Sequence, residues 1–128
     1  MDFKNKWLVG TLRSLAGLML IVFGLNGFLH FMPMPEMAGQ AGVLMGALFS
    51  TPYMLWMIKG LEIVVGVMYL LDRWTAFANL LLAPLSVNFV AFHAVYALSG
   101  IGGGLFIFLV NLYLGWVHWD KYKAIFRN

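Results

Sequence analysis

The sequence predicts an all-α integral membrane protein: a four-helix bundle with a short interfacial helix between its first and second spans. Three observations predict it. Hydrophobic residues make up 62% of the 128-residue chain and charged residues 10%, with a mean hydropathy of +0.87. A soluble domain is nearer half apolar and a quarter charged. The apolar residues fall in long runs, and crossing a bilayer takes ~20 residues of helix. Three of the four prolines and ten of the thirteen charged residues lie outside those runs. Residues 1–128 are read as a single transmembrane domain.

The chain starts polar and net-basic, MDFKNK. The first run covers about residues 7–32. It is too long for a signal-peptide core and has no clean small-residue cleavage site, so it is expected to stay as the first span. Gly10, Gly17 and Gly24 recur at every second turn and lay a smooth stripe that lets another helix come close. Pro33 and Pro35 stop this helix. Residues 36–50 are too short to span and too apolar for a disordered loop, which predicts a helix lying in the interface. Thr51 offers an N-cap and Pro52 the first helical position. The second span is expected over about residues 53–71, with a tight turn at Asp72-Arg73. The third covers about residues 74–98, where Pro84 frees the carbonyl of Leu80 and bends the helix. A glycine-rich turn over residues 99–104 leads to the fourth span, about residues 105–119, and a basic tail.

Orientation follows from Lys and Arg. Lys4, Lys6, Arg13, Arg73, Lys121, Lys123 and Arg127 all fall on one side of a four-span topology, leaving only Lys59 of the eight basic residues elsewhere. Both termini are therefore expected on the cytoplasmic side of a bacterial inner (plasma) membrane. Trp7, Trp74, Trp116 and Trp119 on that side, and Tyr53, Trp56 and Tyr96 on the other, fit interfacial belts.

Several function classes are excluded. Without cysteine the chain carries no disulfide, thiol chemistry, thiolate metal site or iron–sulfur cluster. The basic residues form no stripe with interleaved aromatics, so nucleic acid is not a partner. No nucleophile–base arrangement or phosphate loop is present. The run from Gly100 to Gly104 follows no strand and is not a dinucleotide fingerprint.

The informative residues are polar groups inside the apolar runs. Placed by depth at ~1.5 Å per residue, Asn26, His30, Lys59, Glu62, Asn88, His93 and Asn111 all come out in the half of the bilayer away from the termini. They come from all four spans and predict a polar chamber inside the bundle that opens outward. Lys59 and Glu62, three apart on one helical face, are read either as a structural ion pair or as a ligand or proton site. The histidines are read either as bonded to backbone or water, or as partners of a polar head group such as a quinone, whose oxygens an imidazole can bond. A metal site of His30, His93 and Glu62 has suitable ligand types but no HxxxH or HExxH spacing, so no metal is expected. Asn79, Ser86 and His93 form a second stripe on the third span. Asn111, Gly115, His118 and Tyr122 form one on the fourth that is read as helix packing.

Blocks of this sequence resemble the DoxX-like family of small bacterial membrane proteins. They are Gly24-Leu-Asn-Gly-Phe-Leu-His-Phe31 with Pro33-Met-Pro35, Lys59-Gly-Leu-Glu62 with Gly66, Leu81-Leu-Ala-Pro-Leu-Ser-Val-Asn88 with Phe92-His93, and Leu112-Tyr-Leu-Gly-Trp116. The resemblance covers roughly residues 10–120. It implies a four-helix membrane bundle and an association with quinone-linked oxidation. The expected function is a small redox-associated subunit without independent activity, belonging to a quinone-linked oxidoreductase if to any enzyme. It would bind quinone or another polar-headed lipid through Asn26, His30, Lys59, Glu62, Asn88 and His93. The alternatives are an accessory or assembly subunit that docks other membrane proteins, and a small oligomeric transporter. The bilayer, a hydrophobic small molecule, and either further copies of the chain or a larger membrane complex are the partners expected.

Overall fold

A computed structural model describes residues 4–31, 38–96 and 98–127. The regular elements among them are all helical. They are α1 (Lys6–Leu29), α2 (Gly39–Ser50), α3 (Pro52–Leu71), α4 (Thr75–Tyr96), α5 (Ile101–Val117) and the short α6 (Trp119–Tyr122), with 3-10 turns at Leu98–Gly100 and Lys123–Phe126. Four segments, α1, α3, α4 and α5 with the turn before it, are long and apolar enough to cross a membrane. Their outward faces carry large apolar side chains: Leu18 and Phe23 on α1, Val64 on α3, Phe77 and Val87 on α4, Leu109 and Leu112 on α5 are all exposed. A soluble protein rarely leaves so much contiguous apolar surface bare, whereas hydrocarbon solvates it.

The helices run antiparallel around a ring, α1 against α3, α3 against α4, α4 against α5 and α5 back against α1. Contacts fix the register. Gly17 meets Gly66, and Gly24 meets Lys59 and Glu62, so α1 and α3 run in opposite directions. Gly104 lies against Phe89, and Gly100 against His93. At the other end Lys4 sits over the Trp116 ring at 4.8 Å. Both termini therefore lie at one end, called the terminal end below. Inside the ring Ala16, Leu20, Val65, Ala78, Leu82, Ile107, Val110 and Leu114 form the apolar core.

Local chemistry explains the boundaries. Asn5 caps α1 by accepting from the Trp7 N–H at 2.8 Å. The helix ends at Leu29, earlier than the expected 32, because His30 adopts a left-handed conformation (φ 53) and returns its N–H to the Asn26 carbonyl. Pro33, Pro35 and Glu36, with the start of the expected interfacial segment, lie outside the described residues. Pro52 holds the first position of α3 as expected, but the Thr51 hydroxyl makes no capping bond. The turn to α4 uses Asp72 and Trp74 with φ 50 each, and Asp72 Oδ1 accepts from the Thr75 hydroxyl at 2.6 Å. The helix of α4 is continuous through Pro84.

The largest boundary difference is at α5. It begins at Ile101, not at 105, so Gly102, Gly103 and Gly104 are helical and not a turn. Low helix propensity loses here to packing: a Cβ on Gly104 would stand 3.1 Å from Phe89 Cβ, so glycine lets α5 press against α4.

The terminal end is tied by side chains. Arg13 Nε donates to the Tyr69 carbonyl at 2.7 Å and Arg13 Nη1 lies 3.8 Å from Asp72 Oδ2. The Tyr122 hydroxyl donates to the Ala76 carbonyl at 2.6 Å and pins α6 beneath α4. His118 links α5 to α6. Partial burial, followed by nearby Lys121, pushes its imidazole below the ordinary 6.5; Asp72 opposes this and Arg13 adds to it. The folded chain thus holds that proton less tightly than the unfolded chain. Stability from neutral His118 is complete above about pH 6.5 and is lost as pH falls toward the lowered value. Thermal unfolding in detergent is expected to show this fall between neutral and mildly acidic pH, and His118→Gln to flatten it.

Candidate functional site

The candidate site grows out of the seam between α1 and α3. Glycines on α1 remove the side chains that would hold the two helices apart. A Cβ on Gly24 would stand 3.0 Å from the Lys59 carbonyl and 3.3 Å from Glu62 Cβ. One on Gly27 would collide with the Lys59 stem, 2.7 Å from Cδ. The aliphatic part of Lys59 therefore lies across Gly27, and its ammonium reaches Glu62 Oε2 at 3.2 Å. The Glu62 side chain is 4% exposed and that of Lys59 23%. Counting from Pro52, the pair lies about 10–15 Å along α3 from the far end. A lone charge at such depth costs at least ~2.5–3.5 kcal/mol on insertion scales, so the partners hold each other in place.

The pair is incomplete in one respect. Lys59 reaches Oε2 as its ion-pair partner at 3.2 Å. That buried oxygen has no hydrogen-bond partner among the described residues. Asn26 is buried on the same stretch of α1, between Gly24 and Gly27.

Three other candidates lie elsewhere. His30 caps α1 at the far end with an exposed side chain. Asn88 is also exposed, and it spends a donor on its own helix, Nδ2 to the Pro84 carbonyl at 2.8 Å. His93 is half-buried at the far end of α4. Its Nδ1 lies 2.8 Å from the Phe89 carbonyl. A carbonyl can only accept, so Nδ1 is the donor in this bond. The ring stands edge-on to Phe92 with centroids 5.3 Å apart and lies against Gly100. Among the described residues no group of three His, Asp or Glu side chains is placed to hold a metal ion.

The structure thus separates the expected chamber into parts. Asn111 in particular does not join Lys59 and Glu62. Because α5 starts four residues earlier than expected, Asn111 is about 6 Å deeper from the far end than its sequence placement. There it builds a second polar group with Asn79. Asn111 Nδ2 donates to Asn79 Oδ1 at 2.8 Å and to the Asn79 carbonyl at 3.0 Å, and Asn79 Nδ2 returns a bond to the Asn111 carbonyl at 3.1 Å. The Tyr69 hydroxyl donates to Asn79 Oδ1 at 2.6 Å, and the Ser86 hydroxyl to Asn111 Oδ1 at 2.9 Å. This network ties α3, α4 and α5, and its members are buried. Sequence reasoning placed Asn79 and Asn111 on packing stripes but missed Tyr69 as their partner. The signal was present: Tyr69 and Asn79 both lie within about two helical turns of the Asp72-Arg73 turn, and a tyrosine side chain is long enough to cover the difference in depth.

Fold and site together define a multi-pass membrane protein with a buried, incompletely bonded ion pair in one half and a closed amide–hydroxyl network nearer the terminal end. Comparison of the chain with protein-family models, curated proteins and solved structures returned no match.

Proposed function

We propose that the chain is a small, DoxX-like subunit that binds a polar-headed lipid of the quinone class at Lys59 and Glu62. The observation that carries this reading is the buried Glu62 Oε2, which sits beside an ammonium at 3.2 Å and has no hydrogen-bond partner among the described residues. A buried polar atom left unsatisfied costs ~1–3 kcal/mol. The reduced form, a quinol, would donate a hydroxyl to that oxygen, and the oxidised form would accept from Lys59 through a ring carbonyl. Asn26 belongs to this site. His93 lies beyond it at the far end, and His30 and Asn88 are outside it. The basic residues at the terminal end support cytoplasmic termini in a bacterial inner membrane. The apolar α2, with only Ala41 buried, would lie in the opposite interface. Four helices enclose little volume, which favours work as a subunit of an oligomer or larger complex.

The test is binding of a short-chain benzoquinone and its reduced form to purified protein, read by native mass spectrometry. Glu62→Gln and Lys59→Met are each expected to weaken binding by about tenfold or more, the value of one charge-assisted hydrogen bond. His30→Ala and Asn88→Ala are expected to leave it unchanged. Binding by both charge variants at the wild-type level would sink the reading.

A further inference from the structure

A groove of about 550 Å³ lies in the other half of the molecule, between α4 and α5 at the terminal end. Leu80 and Ala83 form one wall, Leu112 and Trp116 the other. Trp119, stacked on Phe126 at 5.7 Å, closes its base. Asn79 and Asn111 lie on its floor, but their amides are engaged with each other, so the groove offers an occupant mainly apolar surface. Leu112, Trp116 and Phe126 are exposed, so it opens sideways, toward lipid.

We propose that this groove holds an acyl chain of an anionic phospholipid from the leaflet on the terminal side, with the phosphate against Lys4 and Lys121. Three observations choose this occupant. The volume takes little more than about one turn of a helix 10 Å across, too little to seat a partner helix, yet a thin hydrocarbon chain fits along it. This end of the molecule is positive: seven of the eight basic residues lie at it, against Asp72 and Asp120 among the described acidic residues. Among them Lys4 sits over Trp116 in the groove wall, and exposed Lys121 lies between the lining residues Trp119 and Tyr122. Lys123 is held by Asp120 at 3.1 Å and contributes less. Basic side chains near a membrane surface attract anionic head groups in this way.

The test uses phosphatidylglycerol and phosphatidylcholine with the same oleoyl chains, exchanged onto the delipidated full chain and counted by native mass spectrometry. Wild type is expected to retain phosphatidylglycerol over phosphatidylcholine by about fivefold for each basic side chain engaged. A Cβ on Gly115 would meet only Asn79 Nδ2, at 3.6 Å, so Gly115→Leu can grow into the groove. It is expected to lose retained lipid of both kinds. Lys4→Gln combined with Lys121→Gln changes only exposed residues and is expected to bring phosphatidylglycerol down to the phosphatidylcholine level. Equal retention of the two lipids by wild type would overturn the proposal, as would undiminished lipid on Gly115→Leu. A wild-type dimer that Gly115→Leu dissociates without loss of lipid would overturn it in favour of a second copy of the chain.

Discussion

Asn79→Ala is expected to destabilise the bundle by about 2–4 kcal/mol, more than any other single deletion in its polar network. Asn79 is the hub. Its Oδ1 accepts from both Tyr69 and Asn111, and its Nδ2 donates to the Asn111 carbonyl. Intramembrane hydrogen bonds average only ~0.6 kcal/mol each and reach ~1.7, so lost bonds alone give a modest sum. The larger part comes from what is left behind. Tyr69 is 0% exposed, and its hydroxyl would be buried with neither water nor acceptor, at ~1–3 kcal/mol. Asn111→Ala is milder, because Ser86 keeps the Ala83 carbonyl at 3.1 Å and Asn79 keeps Tyr69. Unfolding in mixed micelles should rank the variants in that order. The sharper check is Tyr69→Phe, which should destabilise the wild type but stabilise Asn79→Ala by removing the orphaned hydroxyl. If Tyr69→Phe destabilises both by the same amount, Tyr69 and Asn79 are uncoupled and the hub assignment fails.

The four spans were legible because hydrocarbon allows few alternatives: long apolar runs must be helices, and charge must collect between them. Glycine spacing on α1 also read correctly in part. Gly17 and Gly24 do face α3, while Gly10 meets nothing nearer than Arg13 at 3.9 Å. The Lys59–Glu62 pair was legible because its spacing is local to one helix. What failed was depth. Counting from a boundary transmits any boundary error to every residue beyond it. Reading Gly102 to Gly104 as a turn moved Asn111 by about one helical turn and put it in the wrong half. Direction was the second failure. His30 and Asn88 have the chemistry of site residues. Yet His30 caps α1 through its backbone with its side chain exposed, and Asn88 spends its side-chain amide on the Pro84 carbonyl, and both outcomes are set by local backbone geometry. Arg13 shows the converse. It looked like one more basic residue near the start, but across the ring it reaches Tyr69 and Asp72.

Gly66→Leu is expected to have the largest effect of any single substitution, because the α1–α3 seam is built backbone to backbone. A Cβ at Gly66 would stand 2.7 Å from the Gly17 carbonyl oxygen, and one at Gly17 would stand 2.9 Å from the Gly66 carbonyl oxygen. Neither contact can be relieved by turning a side chain, so the helices themselves must separate. Gly66→Ala is expected to cost about 1–3 kcal/mol, the usual range for overpacking, and Gly66→Leu more. In lipid the loss is felt fully, since helix association there rests on close packing and not on expulsion of water. The same seam places Lys59 over Gly27 and Glu62 beside Gly24. Opening it should therefore admit water to the ion pair and weaken binding there even when the protein still folds. Gly46→Ala in α2 is the matched control: a Cβ there meets nothing within 4 Å, and higher helix propensity should leave stability unchanged or raise it by up to about 1 kcal/mol. Unfolding curves for the three variants, with the Lys59–Glu62 site probed by benzoquinone binding, separate packing from propensity. A Gly66→Ala variant as stable as Gly46→Ala would show that α1 and α3 do not meet along this seam.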